Sequence, residues 1–320
     1  LPAIFNLICI FAQFFTTITN MDTQPTFESS LKSIDTEEWL DIHFHRPMGY
    51  RWALLARRLG ITPNQVTIFS IFVGMAGGVC FYFPDLWLTL LGGFFLTWAN
   101  SLDCADGQLA RMTGQKTELG RILDGAAGDF WWAAIYIGMI ARLWTENGFF
   151  ILIIVLMTAY YHSKQAQMAD YYRQIHLLFL NGKNGSELDH SEEVEKKYQA
   201  LTWKKPVFKF FRWTYLHYTK AQEDTTPKFQ AMMAVIDSKY KGEAPKWLNL
   251  GWREKSLPIL PITNMLSFNL RAIMLFFCVL FGQPWIYLVI ELTVMNGLLH
   301  YMTHKYERLA DSFTTELLES

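Results

Sequence analysis

Six apolar runs, each about as long as a bilayer is thick, leave this chain few folds to choose from. They lie at roughly 66–83, 86–109, 119–142, 148–168, 258–281 and 284–303. A helix needs about 20 apolar residues to cross the hydrocarbon core. Unpaired backbone is not tolerated in lipid, so each crossing must satisfy its own hydrogen bonds. Short turns at Phe83-Pro84-Asp85, Trp144 to Gly148 and Gly282-Gln283-Pro284 join the runs in pairs. The composition agrees, with 51% hydrophobic and 16% aromatic residues against 18% charged. The expectation is an all-α, multi-pass integral membrane protein built as a six-transmembrane-helix bundle.

The basic residues orient that bundle. Of 28 Lys and Arg, all but Arg142 and Arg271 fall in 21–65, 101–123, 163–257 and 304–320, which the turns place on one side. By the positive-inside rule that side is cytoplasmic and holds both termini. Residues 36–60 interleave Trp39, Phe44, Trp52 and Leu55 with Arg46, Arg51, Arg57 and Arg58. That mixture predicts an N-terminal amphipathic juxtamembrane helix lying in the headgroup layer. The segments expected are therefore 21–65 as cytoplasmic chain and amphipathic helix, 66–180 as membrane helices one to four and 181–257 as a cytoplasmic or interfacial insertion. Membrane helices five and six follow at 258–305, then a tail at 306–320. Residues 1–20 are apolar without Lys or Arg, so they lack the positive start of a signal peptide. They are read as an extension without function, against an extra hydrophobic anchor. In the insertion, the stretch from Trp203 to Trp213 alternates bases with aromatics, and on a membrane protein this points to anionic lipid rather than nucleic acid. The four cysteines are scattered and imply no disulfide framework.

The chemistry concentrates at Asp103, Asp106, Asp124 and Asp129. Carboxylates in membrane helices are rare and usually functional. Counted from the external turns at about 1.5 Å per residue, Asp103 and Asp124 both lie roughly 26–28 Å down, and Asp129 about 21 Å. Solvated loop carboxylates would not gather at one level on two neighbouring helices. Asp103 and Asp106, at i and i+3, share a helix face. Carboxylates brought together this way repel unless a cation neutralises them, and a hard divalent ion such as Mg²⁺ or Mn²⁺ prefers oxygen ligands and bridges to phosphate. Gly107, Ala110 and Gly120 allow close approach of backbone or ligand, and Arg111 suits a phosphate.

The run Asp103, Asp106, Gly107, Ala110, Arg111, Gly120 and Asp124 resembles the signature of the CDP-alcohol phosphotransferase (CDP-alcohol phosphatidyltransferase) family, D-x2-D-G-x2-A-R-x8-G-x3-D-x3-D. Thr62-Pro63-Asn64-Gln65-Val66-Thr67, entering the first membrane helix, is similar to a second family feature. The resemblance covers about 60–305 apart from the insertion. It implies that Asp103, Asp106 and Asp124 hold one or two divalent ions against the diphosphate of a CDP-linked donor. It further implies that Gly107 and Ala110 pack beside CMP, that Arg111 holds phosphate, and that CMP leaves as an alcohol attacks. Family members are often homodimers. One position departs: the fourth Asp of the signature falls at 128, which is Gly128, and Asp129 follows one residue late. On a regular helix i+5 lands about 140° from its start, so the expectation is a π-bulge that brings Asp129 into place as metal ligand or general base. Structural pairing of Asp129 elsewhere is the alternative.

Further polar residues frame an acceptor pocket. Lys164, Asn264 and His300 lie roughly 22–26 Å down, level with the aspartates. Related enzymes with phosphorylated acceptors tend to carry a base where Lys164 stands; its alternative is snorkelling to the interface. His300 is read as a satisfied packing residue. Arg271, about 15 Å down, either lines an anionic headgroup pocket or pairs with Glu291 at about 10 Å. The reading that unites these features is a transferase moving a phosphatidyl group from CDP-diacylglycerol to a polar alcohol. Its alternatives are transfer from a CDP-linked small alcohol to a lipid, use of an inositol-phosphate acceptor and, more distantly, a divalent-cation transporter.

Overall fold

The computed structural model describes residues 26–319 apart from 28–29, 31–32, 116, 183–184 and 203–205. The expectations for residues 1–20, and for the start of the basic-aromatic stretch at Trp203, Lys204 and Lys205, lie outside the described residues. Every described element is helical. The chain divides into two compact units, residues 1–152 and 153–320.

The first unit holds α1 (Arg46–Arg58), preceded by a single π-helical turn (Asp41–His45), then α2 (Pro63–Cys80), α3 (Leu86–Thr113) and α4 (Glu118–Asn147). Local chemistry fixes each start. Thr62 and Gln65 form a reciprocal capping box at the head of α2, with Pro63 in its first turn. Asp85 caps α3 by accepting from Leu88 N at 2.9 Å, and α3 ends on Gly114 in the left-handed region at φ 69°. α2 packs against both α3 and α4, and a glycine makes this possible: a Cβ on Gly78 would stand 2.8 Å from Ile135 N.

The second unit takes up α5 (Phe149–Asn181), in which the boundary falls. It continues through α6 (Ser191–Gln199), α7 (Pro206–Thr225), α8 (Pro227–Tyr240), α9 (Lys246–Ser256), α10 (Leu260–Met265), α11 (Phe268–Leu280), α12 (Pro284–Ile290) and α13 (Asn296–Glu319). A π-helical turn, Glu291–Met295, joins α12 to α13 without a break. The apolar run at 258–281 is not one helix: it divides at Leu266 and Ser267 between α10 and α11. Pro261 falls in the first turn of α10, where its missing N–H leaves no bond unmade. Residues 181–257, expected as an insertion, build a core with the chain's end. Phe179, Met232, Ile236 and Trp252 are buried with Phe313 and Leu317, and Tyr172 stacks on Tyr306 with centroids 4.0 Å apart.

Among the described residues three helices are long and apolar enough to cross a membrane: Pro63–Cys80, Phe149–Asn181 and Pro284–Glu319. Phe268–Leu280 is apolar but shorter. α3 and α4, at 28 and 30 residues, have the length, yet each interrupts its apolar sequence with charges such as Asp103, Asp106, Asp124 and Asp129. Phe72, Trp87, Phe94, Ile137, Phe150 and Phe281 are exposed, an apolar exterior that lipid rather than water would cover. The chain is a helical membrane protein.

Candidate metal centre

Two helices deliver three carboxylates to one point. Asp103 and Asp106 project from one face of α3. After the Gly114 turn, Thr117 caps α4 by accepting from Gly120 N at 2.9 Å, which sets Asp124 in the second turn. One oxygen from each of Asp103, Asp106 and Asp124 lies within 4.8 Å of the others. Asp106 is buried, Asp103 half-buried and Asp124 exposed, so the cluster opens on the Asp124 side. The donors fit a hard divalent ion on two counts. They are all oxygen, with no imidazole or thiolate to favour zinc or copper. Two ligands on one ion at 2.0–2.6 Å also stand at most about 4–5 Å apart.

The Thr62–Thr67 segment brackets this cluster. The buried Thr67 hydroxyl donates to Asp106 Oδ2 and stands 3.1 Å from Pro63 O. Gly120 carries no side chain because a Cβ there would sit 2.7 Å from Asn64 Oδ1 and 2.9 Å from Thr117 Oγ1. Sequence reasoning marked this segment by resemblance but missed that Thr67 reaches a carboxylate. The signal was available: Thr67 lies one turn beyond Pro63, on the face that α2 turns toward α3.

A second support comes from the N-terminal region. Arg111 Nε donates to Ser30 O at 2.5 Å, and its guanidinium lies 3.5 Å from where a Gly107 Cβ would stand. Arg111 Nη2 is buried without a hydrogen-bond partner among the described residues, so one edge is anchored and one nitrogen is left for an anion. Gln108 Nε2 reaches Ser30 Oγ at 3.0 Å and Arg46 O at 3.2 Å. His45 Nδ1 stands 3.2 Å from Ser101 Oγ, and Arg46 pairs with Glu37 at 2.9 Å. A Cβ on Gly49 would meet Cys104 Cβ at 2.8 Å, so α1 seats directly on the motif helix. The expected headgroup-layer helix thus has one face against α3, with Gly49, Ala53 and Ala56 buried and Trp39 exposed. Its mixture of aromatic and basic residues was read from the sequence; its partner helix was not.

The bulge expected near Asp129 is absent. α4 runs as unbroken α-helix from Glu118 to Asn147, so Asp129 keeps its position about 140° around the axis from Asp124. It is exposed and is not among the three converging carboxylates. The backbone gains nothing from bulging there: among the described residues no heavy atom lies within 4 Å of a Cβ added at Gly125 or Gly128. Ala110 is half-buried on α3.

Lys164, Asn264, Arg271 and His300 belong to the second unit. Lys164 is half-buried, with Nζ 5.8 Å from the centroid of the Tyr160 ring. Asn264 is buried. His300 is exposed on α13 rather than packed, because α13 turns its opposite face to the core. Arg271, 1% exposed, pairs with the fully buried Glu291 at 3.7 Å. Arg271 Nη2 also donates to Gln165 Oε1 at 2.7 Å, Tyr287 OH donates to Glu291 Oε1 at 2.7 Å, and Gln165 Nε2 donates to Asn296 Oδ1 at 2.9 Å. Gln165, next to Lys164 in sequence, was missed although it joins three helices.

Residues 60–175 match the family model described as CDP-alcohol phosphatidyltransferase. An archaetidylinositol phosphate synthase of Pyrococcus horikoshii is 36% identical over 81 residues, which is 25% of this chain and 42% of the relative. The chain thus spans less than half the length of the curated relative it matches.

Proposed function

We propose that this chain, whose residues 60–175 carry the transferase domain of the CDP-alcohol phosphatidyltransferases, makes a phospholipid by moving a phosphatidyl group from CDP-diacylglycerol to a polar alcohol. The observation that carries this reading is the convergence of Asp103, Asp106 and Asp124 within 4.8 Å, beside an Arg111 with one nitrogen unpartnered among the described residues. Asp103, Asp106 and Asp124 would hold Mg²⁺ or Mn²⁺, as one or two ions. Bound there, a divalent ion neutralises charge on the transferring phosphoryl group and on the leaving oxygen.

The chain's own residues do the rest. Arg111 holds donor phosphate, and Gly107 and Ala110 leave room for the CMP portion beside it. The alcohol oxygen forms its bond to the phosphorus bearing the diacylglycerol, the bond to the bridging diphosphate oxygen breaks, and CMP leaves with that oxygen. Asp124, the exposed carboxylate of the three, receives the alcohol's proton, a task for which Asp129 stands on the wrong side of α4. Thr67 fixes the rotamer of Asp106.

The relative's name, with Lys164 on α5, favours a phosphorylated inositol as one acceptor to test. Arg271, already paired with Glu291, is assigned to holding the second unit together rather than to the acceptor. With α3 and α4 counted as crossings beside the three long apolar helices, and α11 as a short one, the spans would number six, and by the positive-inside rule the basic segments would face the cytoplasm. A membrane assay with labelled CDP-diacylglycerol and a panel of glycerol phosphate, serine, inositol and inositol phosphate tests the reaction. Labelled lipid with one acceptor supports it. Label recovered only when a CDP-linked small alcohol meets diacylglycerol reverses the donor assignment.

A further inference from the structure

A cleft of about 430 Å³ in the second unit lies where α13 changes character. Up to Tyr301 the continuous helix that starts at Pro284 is mainly apolar, and from His304 onward it is mainly polar. The cleft sits at that change, lined by Lys305 and Arg308 of α13, Lys255 at the end of α9, and Ile259 and Ile262 beyond it. Pro258, Leu309 and Tyr301 complete its lining, and Tyr301 is 47% exposed.

Three cations share this cleft, and little acid answers them. Lys255 has Glu316 at 3.9 Å and lies 4.4 Å from the centroid of the Phe313 ring. Lys305 lies over the Tyr301 ring at 5.4 Å. Arg308 has no hydrogen-bond or ion-pair partner among the described residues, and Glu307 beside it is turned away onto the backbone N–H groups of Lys228 and Phe229. Three like charges around an apolar floor, where the sequence of α13 passes from apolar to polar, match a ligand with an anionic head and an apolar body.

We propose that this cleft binds the phosphate headgroup of an anionic bilayer phospholipid, with Lys305 and Arg308 on the phosphate and Ile259 and Ile262 against the first acyl carbons. The site is independent of the transfer reaction proposed above. Arg308 presents a planar fork suited to two phosphate oxygens, while Lys305 and Lys255 add point charge. Each basic residue at an anionic surface is worth roughly fivefold in affinity, so the cleft should select anionic over zwitterionic lipid.

The test is native mass spectrometry of the full-length chain in detergent, titrated with dioleoylphosphatidylglycerol, with dioleoylphosphatidylcholine or with inorganic phosphate. The expected result is a saturable one-to-one phosphatidylglycerol adduct, bound about tenfold or more tightly than phosphatidylcholine, that inorganic phosphate at equal concentration does not displace. Lys305→Gln/Arg308→Gln should erase the preference, while Lys305→Arg/Arg308→Lys keeps it and shows that the fold tolerates change there. Lys220→Gln, on α7, should leave it intact. Equal binding of the two lipids, or a preference that survives the double glutamine variant, overturns the proposal. So does displacement by inorganic phosphate alone, which would mark a free-anion site.

Discussion

At the scale of single residues, the account rests on what touches Asp106. Thr67 is buried and donates to that carboxylate, and partners of metal ligands typically carry about 10–100-fold in metal affinity or activity. Thr67→Ala should therefore weaken Mn²⁺ binding, measured by titration calorimetry, by about that factor, and Thr67→Ser should restore most of it. Asp129→Asn should keep activity within about threefold of the parent, because α4 is unbroken and Asp129 stands away from the cluster; a loss like that of Asp124→Asn would show that the helix rewinds to bring it in. His45 offers a pH test. Burial, with Arg46 beside it, lowers its pKa to about 4, so the folded chain resists a proton that the unfolded chain accepts near 6.5. Between those values the unfolded state binds more protons, and stability falls as pH drops through that window. His45→Gln should flatten this slope in thermal melts taken from pH 7 to pH 4.

At the scale of elements, the buried pair Arg271 and Glu291 ties α11 to the π-helical turn between α12 and α13. Removing one partner of a buried pair strands the other and costs about 3–5 kcal/mol. Arg271→Gln should lower the melting temperature of the detergent-solubilised chain markedly while leaving the acceptor KM unchanged; a raised KM with unchanged melting would place Arg271 in the acceptor pocket instead. Much of the element level was legible. The turns at Pro84-Asp85 and Gly282-Pro284 and the Thr62 cap carry local signals, and the structure honours them. The division of 258–281 at Leu266 and Ser267 was not, since periodicity sees only an apolar run. The π-turn escaped too: it falls at Glu291, where tertiary partners rather than local sequence decide the winding. Near Gly128 the reasoning ran the other way and expected a bulge where local sequence permits one but nothing in the packing requires it.

At the scale of the whole molecule, the sequence was most informative where chemistry and spacing coincide. Asp103, Asp124 and Asp129 were read from depth along two helices and Asp106 from sharing a face with Asp103; of the four, Asp103, Asp106 and Asp124 converge within 4.8 Å. What lay beyond reach was the clamp on α3. Ser30, Arg46 and Gln108 meet across some 60–80 residues of chain, and no periodicity encodes such a contact. The region read as an insertion likewise shares its core with α13, a fact that apolar residues scattered among charges did not announce. The central claim is that the three carboxylates make this chain a metal-dependent transferase. Its most direct test is CMP release by the purified full-length chain supplied with CDP-diacylglycerol and acceptor. The account predicts release that requires Mg²⁺ or Mn²⁺, stops with EDTA, and falls about 10³-fold or more in Asp106→Ala. Release that persists in EDTA, or that Asp106→Ala leaves unchanged, would contradict it.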